Sequence, residues 1–459
     1  MHIKTDYQLK KKELTMNNIV INSNKNARQL AILGGEPVIN SETQKREIYQ
    51  SDKLTDDIIV GYRRGIPITK SMVDSVVETT KSGIWCRIQS PNGTVPTFEK
   101  RWAEMIGRKY CVGTGAGTQA LSASVEALGI GPGDEVITSP YTDIGTISAV
   151  LFSRALVVLA DLDPESFQLD PDDVERRINS NTKAIIPVHI GGQPAHMERI
   201  MAIAKKHNLK VIEDACQAHF TKYQGKQLGT IGDLGCFSFQ AGKNIGCGEG
   251  GAILGDDEEL MDKCYTIQNH GTNRKGRTER IGPKYRMNEF EAALLLPQLD
   301  NALDVFNYRN KNAWYMNSLL RQFPGVAPQK LYDGTGACSW WVFLTQYKKE
   351  YFNDIPRDKF LQALRAEGVG GSGYIRDGFH RTDVITNHIL DLDIYKNMYS
   401  AARLKQYRDE LPLPNCDRVT DEINISFGSV QMASGREHLD KIFDAIIKVH
   451  ENRDKLTSL

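Results

Sequence analysis

The chain has 459 residues, a length that exceeds one compact domain and suits two. Hydrophobic residues make up 40% of the sequence and charged residues 25%, and 57 Lys and Arg residues balance 57 Asp and Glu residues. This balance argues against nucleic acid as a partner, and no apolar run approaches the roughly 18 residues of a membrane span.

The eight cysteines indicate the compartment of the protein. They are scattered without a CxxC pair, which is typical of reduced thiols rather than of disulfides or a zinc site. The N-terminus is polar and lacks the apolar segment of a secretory signal. The sequence therefore predicts a cytoplasmic protein without a bound metal that acts on a small molecule.

From about residue 100 to residue 260, short apolar strands alternate with amphipathic helices. The predicted strands are 110–112, 135–138, 155–162, 184–189 and 210–213, and the predicted helices are 118–128, 145–153, 171–178 and 196–207. Asp170 is the predicted N-cap of the third helix, with Pro171 at its first position. The alternation predicts an α/β fold with a mostly parallel sheet, helices on both faces and ligands beyond the carboxyl ends of the strands.

Beyond residue 250 the pattern changes. Helices 256–270 and 290–307, the second interrupted or kinked at Pro297, precede an aromatic strand 340–347 and helices 357–367 and 436–453. We therefore predict a partly disordered N-terminal arm 1–48, a large domain 49–325 and a smaller α+β domain 326–459.

A glycine-rich turn, Gly113-Thr-Gly-Ala-Gly-Thr118, lies between a predicted strand and a predicted helix. Such a turn presents backbone N–H groups and the positive end of the helix dipole to an anion, so phosphate is the expected ligand. A dinucleotide fingerprint and simple tight packing are the alternatives, although the glycine spacing does not match GxGxxG.

Two charged residues follow apolar strands in the same region. Asp214 could pair with a pyridinium nitrogen or could cap a helix. Lys243 lies in a crowded glycine-rich segment, where a low dielectric favours the neutral, nucleophilic amine, and Ser238 offers a hydroxyl to a phosphate. A lone lysine is usually solvated, but these three residues together indicate a site for pyridoxal 5′-phosphate (PLP).

Several runs of the sequence match one enzyme family in order and spacing. They are Phe98-Glu99, Gly117-Thr-Gln-Ala-Leu121, Ala127-Leu-Gly-Ile-Gly-Pro-Gly-Asp-Glu-Val-Ile137, Thr182-Lys-Ala-Ile-Ile-Pro-Val-His189, Glu213-Asp-Ala-Cys-Gln217, Gly232-Asp233, Phe237-Ser-Phe239, Lys243, Gly248-Glu-Gly-Gly251 and Arg286-Met287. Through these runs the chain resembles the DegT-type (StrS-type) sugar and cyclitol aminotransferases, which are PLP enzymes of fold type I.

The resemblance implies a homodimer with shared active sites and a role for each matching residue. Lys243 would form the internal aldimine with PLP and transfer the proton. The cofactor-binding residues that the resemblance implies are Asp214 at the pyridine nitrogen, Gln217 at the 3′-hydroxyl side of the ring, and Gly117, Thr118 and Ser238 at the phosphate.

Three positions depart from the family pattern, and one of them is Gln240, which stands where His is frequent, although Gln also occurs in branches that act on cyclitol ketones. Asp143 stands where members usually carry an aromatic residue that stacks on the PLP ring, and Tyr141 is a candidate substitute. Lys284 replaces an Asn that commonly reaches the phosphate in the partner subunit. Its charge could serve that phosphate or remain at an exposed interface.

Three residues are further candidates for the substrate site. Tyr374 and His380 lie in a segment that corresponds loosely to a substrate-facing loop of the family. His189 follows an apolar strand, where a core histidine is an equal alternative. Trp340 and Trp341 are interpreted as core residues of a strand.

These features predict a ping-pong transamination from glutamate or glutamine to a keto sugar or keto cyclitol, with Lys243 as acid and base in both halves. The rival hypotheses are a PLP-dependent sugar dehydratase, a non-catalytic regulator on the same scaffold and a dinucleotide-binding protein. Dehydrating members usually carry His in place of the lysine, and Asp214, Ser238 and Lys243 together argue against the other two.

Overall fold

The computed structural model describes residues 28–39, 58–63 and 66–457. The predicted arm 1–48 therefore lies mostly outside the described residues. Its described part, 28–39, packs on the C-terminal end of the chain, where Leu30 and Ile39 are buried and Lys448 donates to the carbonyl of Glu36 at 2.6 Å.

The strands of the described residues are β1 (Ile58–Arg63), β2 (Ile66–Thr69), β3 (Tyr110–Thr114), β4 (Glu135–Thr138), β5 (Leu156–Leu159), β6 (Thr182–Ile186), β7 (Lys210–Asp214), β8 (Lys222–Tyr223), β9 (Lys226–Gln227), β10 (Leu234–Ser238), β11 (Gly251–Gly255), β12 (Val326–Pro328), β13 (Val342–Tyr347) and β14 (Asn424–Gly428).

The α-helices of the described residues are α1 (Lys70–Ser82), α2 (Thr94–Ile106), α3 (Gly117–Ala127), α4 (Ile144–Phe152), α5 (Pro171–Arg177), α6 (Met197–His207), α7 (Glu258–Gln268), α8 (Glu289–Leu299), α9 (Ala302–Leu320), α10 (Arg357–Ala366), α11 (Ile389–Asp391), α12 (Asp393–Met398), α13 (Ala401–Asp409), α14 (Pro414–Arg418), α15 (Ser429–Met432), α16 (Arg436–Glu451) and α17 (Arg453–Leu456). In this part of the chain, no helix combines the length and the apolar character needed to cross a bilayer.

A central sheet of seven strands organises the described chain, in the order β3-β11-β10-β7-β6-β4-β5. Its strands are parallel except for β11, which runs antiparallel to both of its neighbours. Helices α3, α4 and α7 share a hydrophobic core with one face, and α2, α6 and α8 share a core with the other. The predicted α/β fold with helices on both faces of a mostly parallel sheet is confirmed.

The sequence does not predict β11, the antiparallel strand of the sheet. The strand consists of Gly251-Ala-Ile-Leu-Gly255, so only three apolar residues lie between two glycines. Such a run is too short to separate from a loop by periodicity. Its pairing with β3 and β10 over the full length is a tertiary effect.

Two local predictions have different outcomes. The Asp170 carboxylate accepts a hydrogen bond from the N–H of Asp172 at 3.0 Å, which confirms the predicted N-cap of α5. By contrast, the predicted interruption at Pro297 is displaced. Helix α8 continues through Pro297 to Leu299, and the break lies between Leu299 and the start of α9 at Ala302. Proline lacks the N–H that would donate within the helix. At Pro297 this missing hydrogen bond lies in the last turn of α8, so the helix ends soon afterwards instead of breaking at the proline.

A second sheet contains the antiparallel strands β12, β13 and β14. Helices α9, α10 and α16 enclose a third core with it, in an α+β arrangement. The predicted strand 340–347 begins two residues later, at Val342, since Trp340 has a φ of 46°, outside the extended region.

Helices α11 to α14 precede β14 in the chain but pack beside the edge strand β5 of the central sheet. Tyr399 donates to the carbonyl of Asp134 at 2.5 Å. Arg403 binds the fully buried carboxylate of Glu135 through hydrogen bonds of 2.7 and 2.8 Å. This segment covers the sheet edge and links the two sheets.

We expect Arg403→Ala to lower the free energy of unfolding by about 3 kcal/mol, because it leaves the Glu135 carboxylate buried without its cation. Lys405→Ala on the same helix removes an exposed ion pair with Asp409 and is the matched control, with an expected loss below about 0.5 kcal/mol. Urea denaturation followed by circular dichroism measures both losses. Equal, small losses for the two variants would contradict the structural role of Arg403.

Candidate active site

A cavity of about 380 Å³ lies beyond the carboxyl ends of β3, β4, β7 and β10. Residues that follow these strands form its wall, because the carboxyl ends of parallel strands meet at one edge of a sheet. Six of the residues singled out in the sequence line it together: Gly117, Thr118, Asp214, Gln217, Ser238 and Lys243.

Lys243 lies in the turn after β10, and its amine is 3.8 Å from the centroid of the Trp341 indole ring. Burial lowers the pKa of Lys243 below the ordinary value of lysine, while the nearby Cys216 and Asp214 oppose this shift. The indole N–H of Trp341 donates to the carbonyl of Gly242 at 2.7 Å, which fixes the ring beside the lysine. The amine is thus shifted toward its neutral, nucleophilic form.

Asp214 is the last residue of β7, and its carboxylate faces the cavity. The hydroxyl of Thr146 donates to it at 2.7 Å, and the backbone N–H of Cys216 donates to its other oxygen at 3.1 Å. The residues that follow Asp214 form turns rather than a helix, so the carboxylate does not cap a helix. Two donors therefore hold the carboxylate in one orientation.

The N-terminus of α3 forms the anion-binding end of the cavity. The helix begins at Gly117 after Ala116, whose side chain cannot cap the first N–H groups. A Cβ atom at position 117 would lie 2.8 Å from the Cβ of Ser238 and 2.9 Å from the Sγ of Cys216. Only glycine therefore allows the helix to begin this close to the ends of β7 and β10.

Gln217 connects the cavity to the segment before α11. Its amide oxygen accepts from the N–H of Gly191 at 2.7 Å, and its amide nitrogen donates to the hydroxyl of Tyr374 at 2.9 Å. The Tyr374 ring meets the Trp341 ring edge to face, with centroids 5.7 Å apart. Burial raises the pKa of Tyr374 well above its ordinary value, so its hydroxyl stays protonated at neutral pH.

The two candidate histidines lie outside the cavity. His189 is fully buried, where it pairs with Glu213 at 3.1 Å and accepts from the N–H of Ala195 at 3.2 Å. It is therefore a fully bonded histidine of the core. His380 is also buried, and it pairs with Asp417 at 2.9 Å. Neither side chain belongs to the cavity wall.

Tyr141 and Lys284 also lie outside the cavity wall. Tyr141 is fully buried and contacts the rings of Phe167 and Tyr374 edge to face, which makes it a core residue behind the site. Lys284 is exposed, on a segment whose next residues pair with the end of β3. A role of Lys284 toward another subunit stays a prediction.

Two residues of the site, Trp341 and Thr146, were not predicted from the sequence, and Asp143 was noted there only as a departure from the family pattern. Trp340 is a core residue as predicted, but Trp341 lines the cavity and contacts Lys243. Thr146 orients Asp214 from α4. Asp143, which stands where an aromatic residue is usual, caps α4 by accepting from the N–H of Gly145 at 2.9 Å and also lines the cavity. The sequence signal for Asp143 was the departure itself.

Comparisons with known proteins identify similar sequences and a similar fold. Residues 67–423 match the DegT/DnrJ/EryC1/StrS aminotransferase family. The chain is 37% identical to the spore coat polysaccharide biosynthesis protein SpsC of Bacillus subtilis over 65% of its length and 79% of that protein. It is 30% identical to a putative L-glutamine:3-amino-2,3-dideoxy-scyllo-inosose aminotransferase of Micromonospora echinospora over 93% of its length and 98% of that protein. A crystal structure of 3-amino-5-hydroxybenzoic acid synthase superposes with a TM-score of 0.72 at 25% identity, over 83% of this chain and 96% of that one.

The lowered pKa of Lys243 can be measured in protein freed of PLP. We expect an amine-selective reagent to modify Lys243 with a half-maximal rate at a lower pH than Lys263, whose pKa is raised by a hydrogen bond to Glu259. Labelling from about pH 7 to pH 11 followed by peptide mass spectrometry gives both profiles. Coincident profiles would show that burial does not favour the neutral amine of Lys243.

Proposed function

The chain belongs to the DegT/DnrJ/EryC1/StrS aminotransferase family, and on this premise we propose that it is a cytoplasmic homodimer that moves an amino group from glutamate or glutamine to a keto sugar or keto cyclitol. The observation that carries the proposal is the meeting of Lys243, Asp214 and the N-terminus of α3 in one cavity. The names of two relatives support the substrate class, since one is a putative L-glutamine:3-amino-2,3-dideoxy-scyllo-inosose aminotransferase and the other is a spore coat polysaccharide biosynthesis protein.

The residues of the cavity fit PLP. A helix N-terminus without a side-chain cap, at Gly117 and Thr118, suits a phosphate, and Ser238 adds a hydroxyl. Asp214 suits a protonated pyridine nitrogen, and Gln217 lies beside it for the 3′-hydroxyl side of the ring. When bound, PLP supplies an aldehyde that takes up an amino group and a ring that accepts electrons.

The chain's own residues hold the reactants and move the proton. Lys243 Nζ, which burial shifts toward the neutral form, would move the proton between the substrate carbon and the cofactor in both halves of the reaction. Asp214, which Thr146 holds in place, would stabilise the positive charge on the pyridine nitrogen of bound PLP. Trp341 limits the movement of the lysine and excludes water from one side of it.

The proposal predicts a yellow protein. Addition of PLP should give an absorption band near the visible range that borohydride bleaches, with the modification on Lys243 by mass spectrometry. Lys243→Ala should lose the bleachable band and lower kcat by about 1,000-fold, the scale of a lost general acid–base, while the circular dichroism spectrum is kept. A Lys243→Ala variant with normal turnover would contradict the assigned role.

The ping-pong mechanism has a separate test. Glutamate or glutamine alone, without acceptor, should yield one keto acid per active site in a single turnover. A subsequent addition of keto sugar or keto cyclitol should then release the aminated product in equal amount. Keto acid formation that requires the acceptor in the same solution would contradict the two-step order.

The shared active site of the proposed homodimer can be tested with mixed dimers. We expect Lys284→Ala and Lys243→Ala proteins each to have low activity and their refolded mixture to exceed both, because one site of the mixed dimer then carries both lysines. One of the two proteins is labelled with ¹⁵N, because the variants otherwise have the same mass, and native mass spectrometry then shows whether mixed dimers have formed. A mixture whose activity equals the mean of its components would contradict a contribution of Lys284 across subunits.

A further inference from the structure

A second cavity, of about 510 Å³, lies between α10, the segment 372–376 and the residues just before β14. A volume of this size suits a small-molecule ligand. Its charged wall residues are three arginines and two carboxylates, namely Arg357, Arg365, Arg376, Asp358 and Asp421. We call it the arginine cavity. Among the described residues, its wall and the wall of the active-site cavity have no member in common.

Arg357 is the buried arginine of this wall. Only 9% of its side chain is exposed, and it donates to the backbone carbonyls of Thr420 and Asn424 at 2.5 and 3.4 Å. A Cβ atom at position 373 would lie 3.6 Å from three atoms of its guanidinium group, so this group lies against the backbone of Gly373. Arg357 therefore holds a positive charge in a fixed position beside the segment 372–376.

Arg365 and Arg376 are the exposed arginines of the wall. They belong to two separate elements, α10 and the segment 372–376, that meet at this cavity. Within the described part of the chain, neither guanidinium group forms a hydrogen bond or an ion pair. Each carries five N–H donors, so both can bind a ligand in the cavity without giving up a protein partner.

The two carboxylates of the wall do not neutralise these arginines. Asp421 accepts from Arg381, which lies outside the wall, at 2.8 and 2.9 Å, and this contact lowers the pKa of Asp421 below its ordinary value. Asp358 faces Arg357 at 3.3 Å, and 77% of its side chain is exposed. The cavity thus has a surplus of positive charge, although the formal net charge of the chain is zero.

The chemistry of the guanidinium group indicates the kind of anion that fits. Arginine binds phosphate and carboxylate oxygens through two parallel hydrogen bonds. A phosphate monoester carries about two negative charges at neutral pH, whereas a carboxylate carries a single one. Two unpaired arginines beside the fixed charge of Arg357 therefore suit the phosphate monoester better.

We propose that the arginine cavity is a second ligand site, which binds a small phosphate monoester apart from the active site. Arg365 and Arg376 bind the phosphate oxygens, and Arg357 adds its charge from below. Tyr374 lies in the same segment 372–376 and accepts from the amide of Gln217 in the active-site cavity at 2.9 Å. A ligand that ties this segment to α10 therefore also restrains Tyr374. Binding there does not depend on the proposed transamination.

Calorimetric titration with phenyl phosphate tests the site. The protein is first saturated with PLP, so that the phosphate site proposed at Gly117 is filled. We expect one phenyl phosphate per chain with a Kd below about 1 mM. Benzoate has a similar ring and a single charge, and it should bind at least about 10-fold more weakly. Absence of saturable binding, or equal affinity for the two ligands, would overturn the proposal.

The double variant Arg365→Ala/Arg376→Ala assigns the binding to this cavity. It should raise the Kd for phenyl phosphate by about 10-fold to 100-fold, because charge-assisted hydrogen bonds are lost. Arg321→Ala removes an exposed arginine outside this wall and is the matched control, with a Kd expected within about 2-fold of wild type. All three side chains are exposed, and circular dichroism checks that the fold is kept. An unchanged Kd in the double variant contradicts the assignment.

Hydrogen exchange locates the bound ligand independently. Phenyl phosphate should slow amide exchange in residues 370–378 by at least about 3-fold, because it restrains the segment 372–376. Binding without protection of these residues would place the ligand elsewhere and overturn the proposal. A protein that takes up no PLP, yet shows this binding and this protection, would refute the proposed function and leave the second site in place.

Discussion

The arrangement of the cavity depends on a carboxylate that does not line it. Glu213 precedes Asp214 in β7 and points to the opposite face, where it is fully buried. It accepts hydrogen bonds from the N–H groups of Gly229, Ile231 and Gly232 at 2.8, 2.6 and 2.7 Å and pairs with His189. Burial would raise the pKa of Glu213, but the bonds from His189 and the backbone lower it below its ordinary value. Loss of any of these partners would leave the buried Glu213 carboxylate incompletely bonded, which is costly. Glu213 therefore holds β7, and with it Asp214, in a fixed position against the loop before β10.

Much of the central sheet could be predicted, because its strands are apolar runs separated by amphipathic helices. The predicted strand 135–138 coincides with β4, and most other predicted strands and helices of this region end within two or three residues of the observed ones. The six cavity residues could be found because each ends a strand, follows a strand or begins a helix, where a parallel sheet presents its ligand site. In these cases local pattern and global fold agree.

The remaining features arise from contacts between distant parts of the chain. Trp341 contacts Lys243 and Gly242, which lie about 100 residues earlier in the chain. The sequence around Trp341 does not distinguish it from its neighbour Trp340, which is a core residue. The pairing of Arg403 with Glu135 likewise joins residues 268 positions apart. His189 and Asp214 are both polar residues after apolar strands, yet one is bonded inside the core and the other faces the cavity. Hydrophobic periodicity predicts which positions are buried, but it does not predict which distant residues pack against them.

The close contact between Gly117, Ser238 and Cys216 limits the substitutions that these three positions can accept. The helix start and the ends of two strands leave no room for one methyl group at position 117, and the side chains at 216 and 238 occupy the remaining space. A larger residue at either position pushes α3 away from the sheet, and a smaller one leaves a gap beneath the helix start. We therefore expect positions 117, 216 and 238 to change together in evolution, because a substitution at one of them requires a compensating substitution at another.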